Sequence, residues 1–318
     1  MSITSSFGYR STALEVIAGH DLQGQTALVT GASSGLGIET CRALLQAGAE
    51  VVMAVRDPEK GELVAAQLRQ DTNNPKAYVI ELDLASLALV RAAAKQILGR
   101  WSKINLLINN AGVMATPFSH TTDGFEMQFG TNHLGHYLFS RLLQPALLAA
   151  APARVVMVSS LAHQRSDVHF EDLNYQQRVY EKWQAYGQSK TANVLFAVAW
   201  NQLYSSEGIT ANALHPGGIS TGLQKFLPIE EQLAMGWIDE QGVVNPLFKT
   251  TQQGAATTIW AAVAPELSGI GGLYLEDCRE ALPFDPTQPY SGFMPYIRDL
   301  ANAERLWQIS AELVGLTS

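Results

Sequence analysis

Short apolar runs alternate with helix-length segments along most of the chain. Seven runs are continuously apolar, at Thr26–Thr30, Glu50–Val55, Ala77–Glu81, Asn105–Ile108, Arg154–Val158, Ile209–Leu214 and Gly272–Leu275. Runs of this kind are typical of strands buried on both faces of a parallel sheet. The segments between them have the length of helices, as at Leu36–Ala47, Glu59–Asp71, Leu87–Arg100 and Ala192–Tyr204. The alternation predicts a doubly wound α/β fold with a seven-stranded parallel sheet and helices on both faces.

The chain shows no linker, internal repeat or low-complexity segment, which predicts one domain over residues 1–318. Residues 1–23 are interpreted as an N-terminal extension, and residues 276–318 as a C-terminal tail with a final helix at Ala301–Val314. Residues 219–250 form an irregular insertion between the last two strand–helix units. Because loops at the ligand crevice carry specificity and often close over ligand, we predict that 219–250 is a mobile substrate lid.

Composition excludes several classes of protein. With 318 residues, 47% of them hydrophobic and 16% charged, the chain is expected to be globular. A net charge of -8 argues against a general nucleic-acid binder, which needs basic residues to neutralise phosphates. The two cysteines, Cys41 and Cys278, have no metal-type spacing, and a reduced pair is favoured over a disulfide. Without a signal-peptide pattern or an apolar run of membrane length, we expect a soluble cytoplasmic protein with no membrane span.

A glycine-rich loop joins the first strand to the first long helix. The segment reads Thr30-Gly31-Ala32-Ser33-Ser34-Gly35-Leu36-Gly37. Glycines there let the backbone approach a pyrophosphate, and the helix N-terminus supplies free N–H groups for the anion. In this strand–helix context the loop predicts a Rossmann-type dinucleotide site made by Gly31, Ser33, Ser34, Gly35, Leu36 and Gly37.

Arg56 follows the second strand, where a carboxylate would hold the ribose of NAD. Its guanidinium can instead bind a 2′-phosphate and stack on adenine, which favours NADP(H). A solvated arginine paired with Asp57 is the alternative.

Tyr186 and Lys190 are spaced i, i+4 on a predicted helix and therefore share one face. Carbonyl reduction must deliver a proton to an oxygen that becomes negative, and a free tyrosine, with a pKa of about 10, is a poor base near neutrality. A nearby ammonium is expected to lower that pKa, so we predict Tyr186 as general acid/base and Lys190 as its tuner. Ser159 and Ser160 end the fifth strand, where a hydroxyl would reach the crevice. A core tyrosine with a chance lysine is the alternative.

Taken together, these motifs resemble the short-chain dehydrogenase/reductase superfamily, and the resemblance extends from about residue 12 to residue 315. It implies a catalytic tetrad of Asn132, Ser160, Tyr186 and Lys190, with Asn132 holding a water in a proton relay and Lys190 binding the nicotinamide ribose. It also implies cofactor contacts at Asp83 and Leu84 for adenine, at Asn109, Ala111 and Gly112 beside the ribose, and at Pro216, Gly217 and Thr221 near the nicotinamide.

The chain is most similar to the retinol-dehydrogenase-like and WW-domain-oxidoreductase-like branch. The supporting strings are the leader from Ser11 to Leu22, AVRDPEKG at Ala54–Gly61, TNHLGHYLF at Thr131–Phe139, SKTANVLF at Ser189–Phe196 and the tail from Arg305 to Val314. A polar stretch, Ala162–Lys182, also separates Ser160 from Tyr186 as in that branch. The branch's membrane-anchoring N-terminal helix and its WW domain have no counterpart, which puts retinoid metabolism in doubt for this chain.

The resulting hypothesis is an NADP(H)-dependent oxidoreductase that interconverts a ketone or aldehyde and an alcohol. Trp183, Phe226, Leu227, Trp237 and Phe248 either form an apolar substrate wall or pack on the core as loop residues. A catalytically silent NADP(H)-binding or sensor protein is the alternative outside the enzymes. An epimerase or dehydratase with tightly held NAD is the alternative among them.

Three histidines suggest further chemistry, and two apolar helices suggest contacts between subunits. His163, three residues after Ser160, suggests a Ser-His hydrolase, but the GxSxG elbow is missing. His133 and His136 lack the carboxylate or cysteine cluster of a metal site, so no metal is expected and a structural role is favoured. The expected partner is a small-molecule substrate. The apolar helices around Leu134–Leu148 and Ala192–Leu203 could pair in a homo-oligomer.

Overall fold

The computed structural model describes residues 2–316, so Met1, Thr317 and Ser318, at the ends of the predicted extension and tail, lie outside the described residues. An eight-stranded sheet has the order β3-β2-β1-β4-β5-β6-β7-β8. Its strands are β1 Thr26–Thr30, β2 Glu50–Val55, β3 Ala77–Glu81, β4 Leu106–Asn109, β5 Ala153–Val158, β6 Ile209–Leu214, β7 Tyr274–Glu276 and β8 Arg279–Glu280. The order reverses direction between β1 and β4, and this reversal opens a crevice at the carboxyl ends of the strands.

The predicted doubly wound fold is confirmed, with one addition to the sheet. Strands β1 to β7 pair in parallel, as the continuous apolar runs predict. The eighth strand pairs antiparallel with β7 through a turn in which Asp277 and Cys278 adopt positive φ. The prediction of seven strands omitted β8 because a two-residue strand, Arg279–Glu280, is too short to give a hydrophobic pattern.

Helices cover both faces of the sheet. They are α1 Ala13–Ile17, α2 Gly35–Gln46, α3 Pro58–Thr72, α4 Leu87–Leu98, α5 Met127–Phe129, α6 Gly135–Ala149, α7 Lys182–Tyr204, α8 Ile229–Ala234, α9 Thr251–Gly254, α10 Ala256–Val263 and α11 Leu300–Leu313. A π-helical turn, Gly130–Leu134, joins α5 to α6. N-capping residues determine where several helices begin: Asp57 caps α3 ahead of Pro58, and Ser86 caps α4. Within residues 2–316, no helix is both long enough and apolar enough to cross a bilayer.

The two ends of the chain pack against opposite faces of the sheet. In the N-terminal extension, α1 is closed by a capping box between Thr12 and Glu15 and buries Val16 and Ile17 in the core that also holds α2 and α10. On the other face, α11 packs on α6 and α7, and the ring of Trp307 contacts those of Tyr137 and others. The helix faces considered for subunit pairing are therefore partly covered by the chain's own last helix.

Residues 219–250 carry short helices instead of being wholly irregular. A 3₁₀ turn spans Gly222–Phe226 and is followed by α8. An isolated bridge between Ile219 and Lys249 closes the base of the segment. Its position over the carboxyl ends of β5 and β6 makes it a candidate lid, and its mobility stays a prediction.

Candidate active site

At two positions of the loop after β1, neighbouring backbone lies so close that only glycine fits. A Cβ at Gly37 would lie 2.3 Å from the carbonyl oxygen of Gly31, and one at Gly31 would lie 2.9 Å from the Cα of Ala111. Gly31 also has a φ of 67°. The loop is therefore pressed between the start of α2 and the segment after β4, and a side chain at either position would fill the cradle.

The N-terminus of α2 is arranged for an anion. Ser34 occupies the N-cap position but makes no side-chain cap hydrogen bond, so the amides of the first helical turn stay available. Gly35 opens the helix at a φ of 51°, and a Cβ there would lie 3.5 Å from the methyl group of Thr221. The structure thus brings Thr221, at the start of the candidate lid, directly over the glycine loop.

Thr30 connects the glycine loop to the Asn-Asn-Ala-Gly segment after β4. Its hydroxyl accepts from the amides of Asn110 and Ala111, each at 2.9 Å, and therefore donates its own proton to Nε2 of His136 at 2.9 Å. The other ring nitrogen of His136 donates to the carbonyl of Asn132 at 2.9 Å. Burial lowers the pKa of His136 to about 4, which agrees with a neutral structural imidazole.

The side chain of Asn109 does not face the crevice. It is fully buried, and its amide donates to the Ser140 hydroxyl at 2.8 Å. Asn109 is the last residue of β4, and alternation along the strand turns it towards α6. The side chain of Asn109 is therefore structural, and a cofactor contact at Asn109 stays a prediction, whereas Ala111 and Gly112 line the crevice beside Gly31.

The residues expected around adenine lie at the ends of β2 and β3. Arg56 is exposed, and it forms no ion pair within the part of the chain that is described. Asp57 instead caps α3 by accepting from the amide of Lys60 at 3.0 Å, which removes the alternative of an Arg56–Asp57 pair. Asp83 accepts from the amide of Ala85 at 2.9 Å, and Leu84 is buried beside Gly135.

Helix α7 begins at Lys182 and carries Tyr186 and Lys190 on one buried face. The ammonium nitrogen of Lys190 lies 5.6 Å from the centre of the Tyr186 ring and donates to the carbonyl of Val158 at 2.9 Å. Ser160, just after β5, hydrogen bonds to the Tyr186 side chain. The preceding residue, Ser159, donates instead to the carbonyl of Lys190 at 2.7 Å and so fastens α7 to the sheet.

Asn132 joins this group from the π-helical turn. Its amide donates to Ser189 and to the carbonyl of Val113, each at 2.9 Å, and its side-chain oxygen accepts from the amide of Val113 at 2.8 Å. A Cβ at Gly112 would lie 3.1 Å from that oxygen and 3.6 Å from the Lys190 ammonium. The four side chains of the expected tetrad therefore converge beside Gly112, at the edge of the crevice.

The pKa of Tyr186 shifts in the direction opposite to the sequence-based expectation. Burial raises it to about 12, and the hydrogen bond from Ser160 acts only partly against this. Burial also lowers the pKa of Lys190 to about 7, which weakens the positive charge that was expected to favour phenolate. The expectation was wrong because spacing reveals proximity but not desolvation. Tyr186 is held as a neutral phenol.

An apolar wall closes over Tyr186. Trp183 and Tyr186 belong to one buried cluster with Met114, Ala115, Ala162 and Leu227, and Trp237 packs against it. The rings of Trp183 and Trp237 are 5.9 Å apart, and the ring of Trp237 in turn meets that of Phe248 edge to face at 5.8 Å. Of the five side chains predicted for this wall, Phe248 reaches the cluster only through Trp237, and Phe226 stays outside it, exposed beside Lys225.

Sequence reasoning missed two charged residues of the candidate lid. Glu231 of α8 accepts from Trp183 Nε1 at 2.8 Å and forms an ion pair with Lys182. Lys249, at the end of the candidate lid, packs under Gly217 and pairs with Asp277 at 2.6 Å. Their acidic or basic character gave no signal, because each lies in a loop-rich segment without periodicity.

The arrangement fits a nicotinamide dinucleotide. The cradle between Gly31 and Gly37, the free amides of α2 and the exposed guanidinium of Arg56 are complementary to a phosphorylated ligand. Among residues 2–316, no group of three histidine, cysteine or carboxylate side chains is placed to hold a metal ion. Pro216 and Gly217 follow β6 on the same side of the sheet, where the nicotinamide end of such a ligand would lie.

Known proteins share both the sequence and the fold. Residues 25–232 match the family model described as short chain dehydrogenase. The chain is 40% identical over 295 residues to retinol dehydrogenase 12 of Mus musculus, covering 93% of this chain and 88% of that protein. A solved structure of an uncharacterized protein from Mycobacterium paratuberculosis matches with a TM-score of 0.72 at 34% identity, over 96% of this chain and 98% of that one. RhlG of Pseudomonas aeruginosa, solved as an active-site complex with NADP, matches with a TM-score of 0.62 at 25% identity, over 80% and 95%. The chain belongs to the short-chain dehydrogenase/reductase family, in its retinol-dehydrogenase-like branch.

Proposed function

We propose that this oxidoreductase is NADP(H)-dependent and interconverts a ketone or aldehyde and an alcohol, with Tyr186 as general acid/base. The observation that carries the proposal is the convergence of Asn132, Ser160, Tyr186 and Lys190 beside the glycine-lined crevice. A tetrad broken at any position would instead favour a silent binding protein. All four residues are present in this chain, which supports an enzyme.

The cofactor would be held along the carboxyl ends of the strands. Gly31, Ser33, Ser34, Gly35, Leu36 and Gly37 would surround the pyrophosphate, and Asp83 and Leu84 would flank adenine. Arg56, free of an ion pair among the described residues, would bind the 2′-phosphate of NADP. Ala111, Gly112, Pro216, Gly217 and Thr221 would line the ribose and nicotinamide end. When bound, the nicotinamide supplies or accepts the hydride.

The side chains of the protein itself would transfer the proton. Because burial holds Tyr186 in its neutral form, its hydroxyl can donate a proton to a carbonyl oxygen that becomes negative. Ser160 orients that oxygen by a second hydrogen bond. Lys190, with a pKa lowered to about 7, can take up a proton near neutrality and return it towards Tyr186. A protonated Tyr186 and NADP use both favour the direction of reduction.

The substrate is proposed to be apolar. Met114, Trp183, Leu227 and Trp237 give the pocket over Tyr186 a hydrophobic lining, with residues 219–250 as a mobile lid on one domain. The name of the mouse relative, retinol dehydrogenase 12, is in keeping with an apolar alcohol or aldehyde. The free thiols of Cys41 and Cys278 favour a reducing compartment such as the cytoplasm.

The test is oxidation of NADPH by a panel of apolar ketones and aldehydes, followed by reduced-nicotinamide absorbance. Tyr186→Phe is expected to abolish turnover while NADPH still binds, as measured by its fluorescence. Tyr290→Phe, at an exposed tyrosine, is the matched control and should turn over like the wild type. Turnover by Tyr186→Phe at the wild-type rate would reject the assigned acid. NADPH binding without turnover of any carbonyl by the wild type would favour a sensor.

A further inference from the structure

Two buried histidines lie next to residues of the nicotinamide site, and the proposed mechanism uses neither. His163 is three residues after Ser160 and is fully buried, and His215 directly precedes Pro216 and is 3% exposed. Each follows the carboxyl end of a strand, β5 or β6. His163 contacts one C-terminal segment, residues 291–296, directly, and His215 is linked to it through Glu276. This segment is called the C-terminal strap below.

The proton of His163 can be placed from the partners of its two ring nitrogens, which include the Tyr274 hydroxyl, 3.1 Å from Nδ1. Nε2 faces the backbone amide of Met294 at 3.3 Å, and an amide can only donate, so Nε2 is the acceptor. Nδ1 therefore carries the proton and donates to the carbonyl of Ser160 at 2.8 Å. Burial lowers the pKa of His163 to about 4, in agreement with a neutral ring. His163 thus links Met294 to the backbone of Ser160.

His215 makes the corresponding link with the opposite tautomer. Its Nδ1 accepts from the amide of Gly217 at 3.2 Å, so the proton lies on Nε2, which faces Glu276 at 3.0 Å. The same carboxylate oxygen of Glu276 accepts from the amide of Gly292 at 2.8 Å. Gly292 of the strap is therefore connected to Gly217 through one carboxylate and one imidazole.

Further contacts hold the strap where these links require it. The amide of Gln164 donates to the carbonyls of Ser291 and Gly292, at 3.0 and 3.2 Å, and the hydroxyl of Tyr296 donates to the carbonyl of His163. The hydroxyl of Tyr274 donates to the carbonyl of Ser160 at 3.0 Å. The strap thus reaches the Ser160 side of the pocket and the Gly217 side at once.

We infer that His163 and His215 are positioning residues, through which the C-terminal strap fixes Ser160 for proton transfer and Gly217 for cofactor binding. The inference rests on the proposed function. A neutral imidazole suits this role because one ring nitrogen donates a hydrogen bond and the other accepts one, so that the ring links two groups on opposite sides of it. Asparagine places an amide near the position of Nδ1, and glutamine places one near that of Nε2, so the two contacts of each ring can be lost separately.

At position 163 the expected result is a split between two conservative variants. His163→Asn keeps a donor for the Ser160 carbonyl and should retain kcat within about threefold, whereas His163→Gln loses that donor and should lower kcat about tenfold or more. The KM for NADPH should stay unchanged in both. Equal kcat losses in the two variants, matched by equal losses of melting temperature, would show a merely structural histidine and overturn the inference.

The strap itself offers a variant that spares the histidine. Met294 has a φ of -78°, which proline adopts, so Met294→Pro removes the amide proton that His163 accepts while leaving the backbone path intact. Met294→Ala keeps that proton and is the matched control. Because Met294→Pro removes the same contact that His163→Asn removes, we expect it to lower kcat to the same extent as His163→Asn, by up to about threefold, and Met294→Ala to leave kcat unchanged. Equal kcat in the two Met294 variants would contradict the role of the strap.

At position 215 the readout is direct NADPH binding, which needs no turnover. His215→Asn keeps an acceptor for the Gly217 amide but loses the link to Glu276, so it should raise the Kd for NADPH less than His215→Gln does. His215→Gln loses that acceptor and should raise Kd about five- to tenfold, the effect of one lost hydrogen bond. Indistinguishable Kd values would refute the link. Failure of the proposed function looks different: the wild type would bind NADPH and reduce no carbonyl, whatever the His215 variants did.

Discussion

Gly187 lies so close to Ala162 that a Cβ at position 187 would be 2.6 Å from the Ala162 carbonyl oxygen. The same Cβ would be 3.1 Å from the amide of Ser166. Helix α7 can therefore approach the segment after β5 only because the residue that follows Tyr186 has no side chain. This approach brings the hydroxyls of Ser160 and Tyr186 into hydrogen-bond contact.

Gly187→Ala is therefore expected to separate Ser160 from Tyr186. Alanine favours helix by about 1 kcal/mol over glycine, but forcing a methyl group against a buried carbonyl costs about 1 to 3 kcal/mol. The net change in stability should be small, while the displacement of α7 should lower kcat by about a hundredfold. Steady-state kinetics and a thermal melt measure the two effects.

The matched control is Gly99→Ala at the end of α4. A Cβ at Gly99 would make ordinary contacts of 3.4 and 3.5 Å, and its backbone is already right-handed helical. We expect wild-type kcat from this variant. Undiminished activity in Gly187→Ala would mean that the close approach of α7 is not needed for catalysis.

Much of this arrangement follows from sequence, and the parts that do not have physical reasons. The continuous apolar runs located β1 to β7 because both faces of a parallel strand are buried. Gly31 and Gly37 could be recognised because they belong to a glycine-rich loop that directly follows a predicted strand. The sequence alone could not show that the Asn109 side chain faces α6, because motif spacing does not say which face of a strand a side chain occupies. The pKa of Tyr186 was misjudged because desolvation depends on packing by residues far from the motif in sequence, such as Met114 and Leu227.

Arg56→Asp tests the cofactor preference. Removing a charge-assisted hydrogen bond to phosphate and adding a carboxylate should weaken NADPH binding by about ten- to a hundredfold and improve NADH binding through the ribose hydroxyl. Competition between the two reduced cofactors, followed by fluorescence, gives the ratio. Lys103→Asp is the control. It makes an equal charge change just before β4, at the amino ends of the strands and away from the crevice, and it should leave the ratio unchanged. An unaltered preference in Arg56→Asp would assign the phosphate to other residues.

The lowered pKa of Lys190 makes stability depend on pH. Folding opposes protonation of this buried amine, so between the folded pKa of about 7 and the ordinary value of 10.5 the unfolded chain binds the extra proton. The resulting penalty is complete below pH 7 and disappears as the pH rises towards 10.5. Over that window the wild type should gain stability relative to Lys190→Met, on the order of 1 kcal/mol per pH unit.

Thermal melts of both proteins at pH 7, 8, 9 and 10 measure that gain, since other titrating groups cancel in the difference. Lys76→Met, at an exposed lysine, is the control and should follow the wild type throughout. A constant difference between Lys190→Met and the wild type would show that the buried amine does not titrate in this range.

The last prediction concerns the contact between the candidate lid and the catalytic helix. Glu231 accepts from Trp183 Nε1 and pairs with Lys182, both in the first turn of α7 and one turn before Tyr186. The pKa of the Glu231 carboxyl is lowered, first by its hydrogen bond with Lys182, so the group is ionised at neutral pH. Glu231→Gln removes the charge but keeps an oxygen for Trp183. Because partly exposed ion pairs contribute at most about 1 kcal/mol, KM for an apolar carbonyl should rise about two- to fivefold, with kcat unchanged or raised by faster release of product.

Glu230→Gln is the neighbouring control, because Glu230 is exposed and makes no ion pair among the described residues. Its kinetics should match those of the wild type. Raising the salt concentration should increase the wild-type KM towards that of Glu231→Gln and leave the variant unaffected, because salt screens an ion pair but not a neutral amide. An equal salt response in both proteins would contradict the role of the Glu231 charge. The contact between the lid and α7 would then depend on the packing of Trp183 against Trp237.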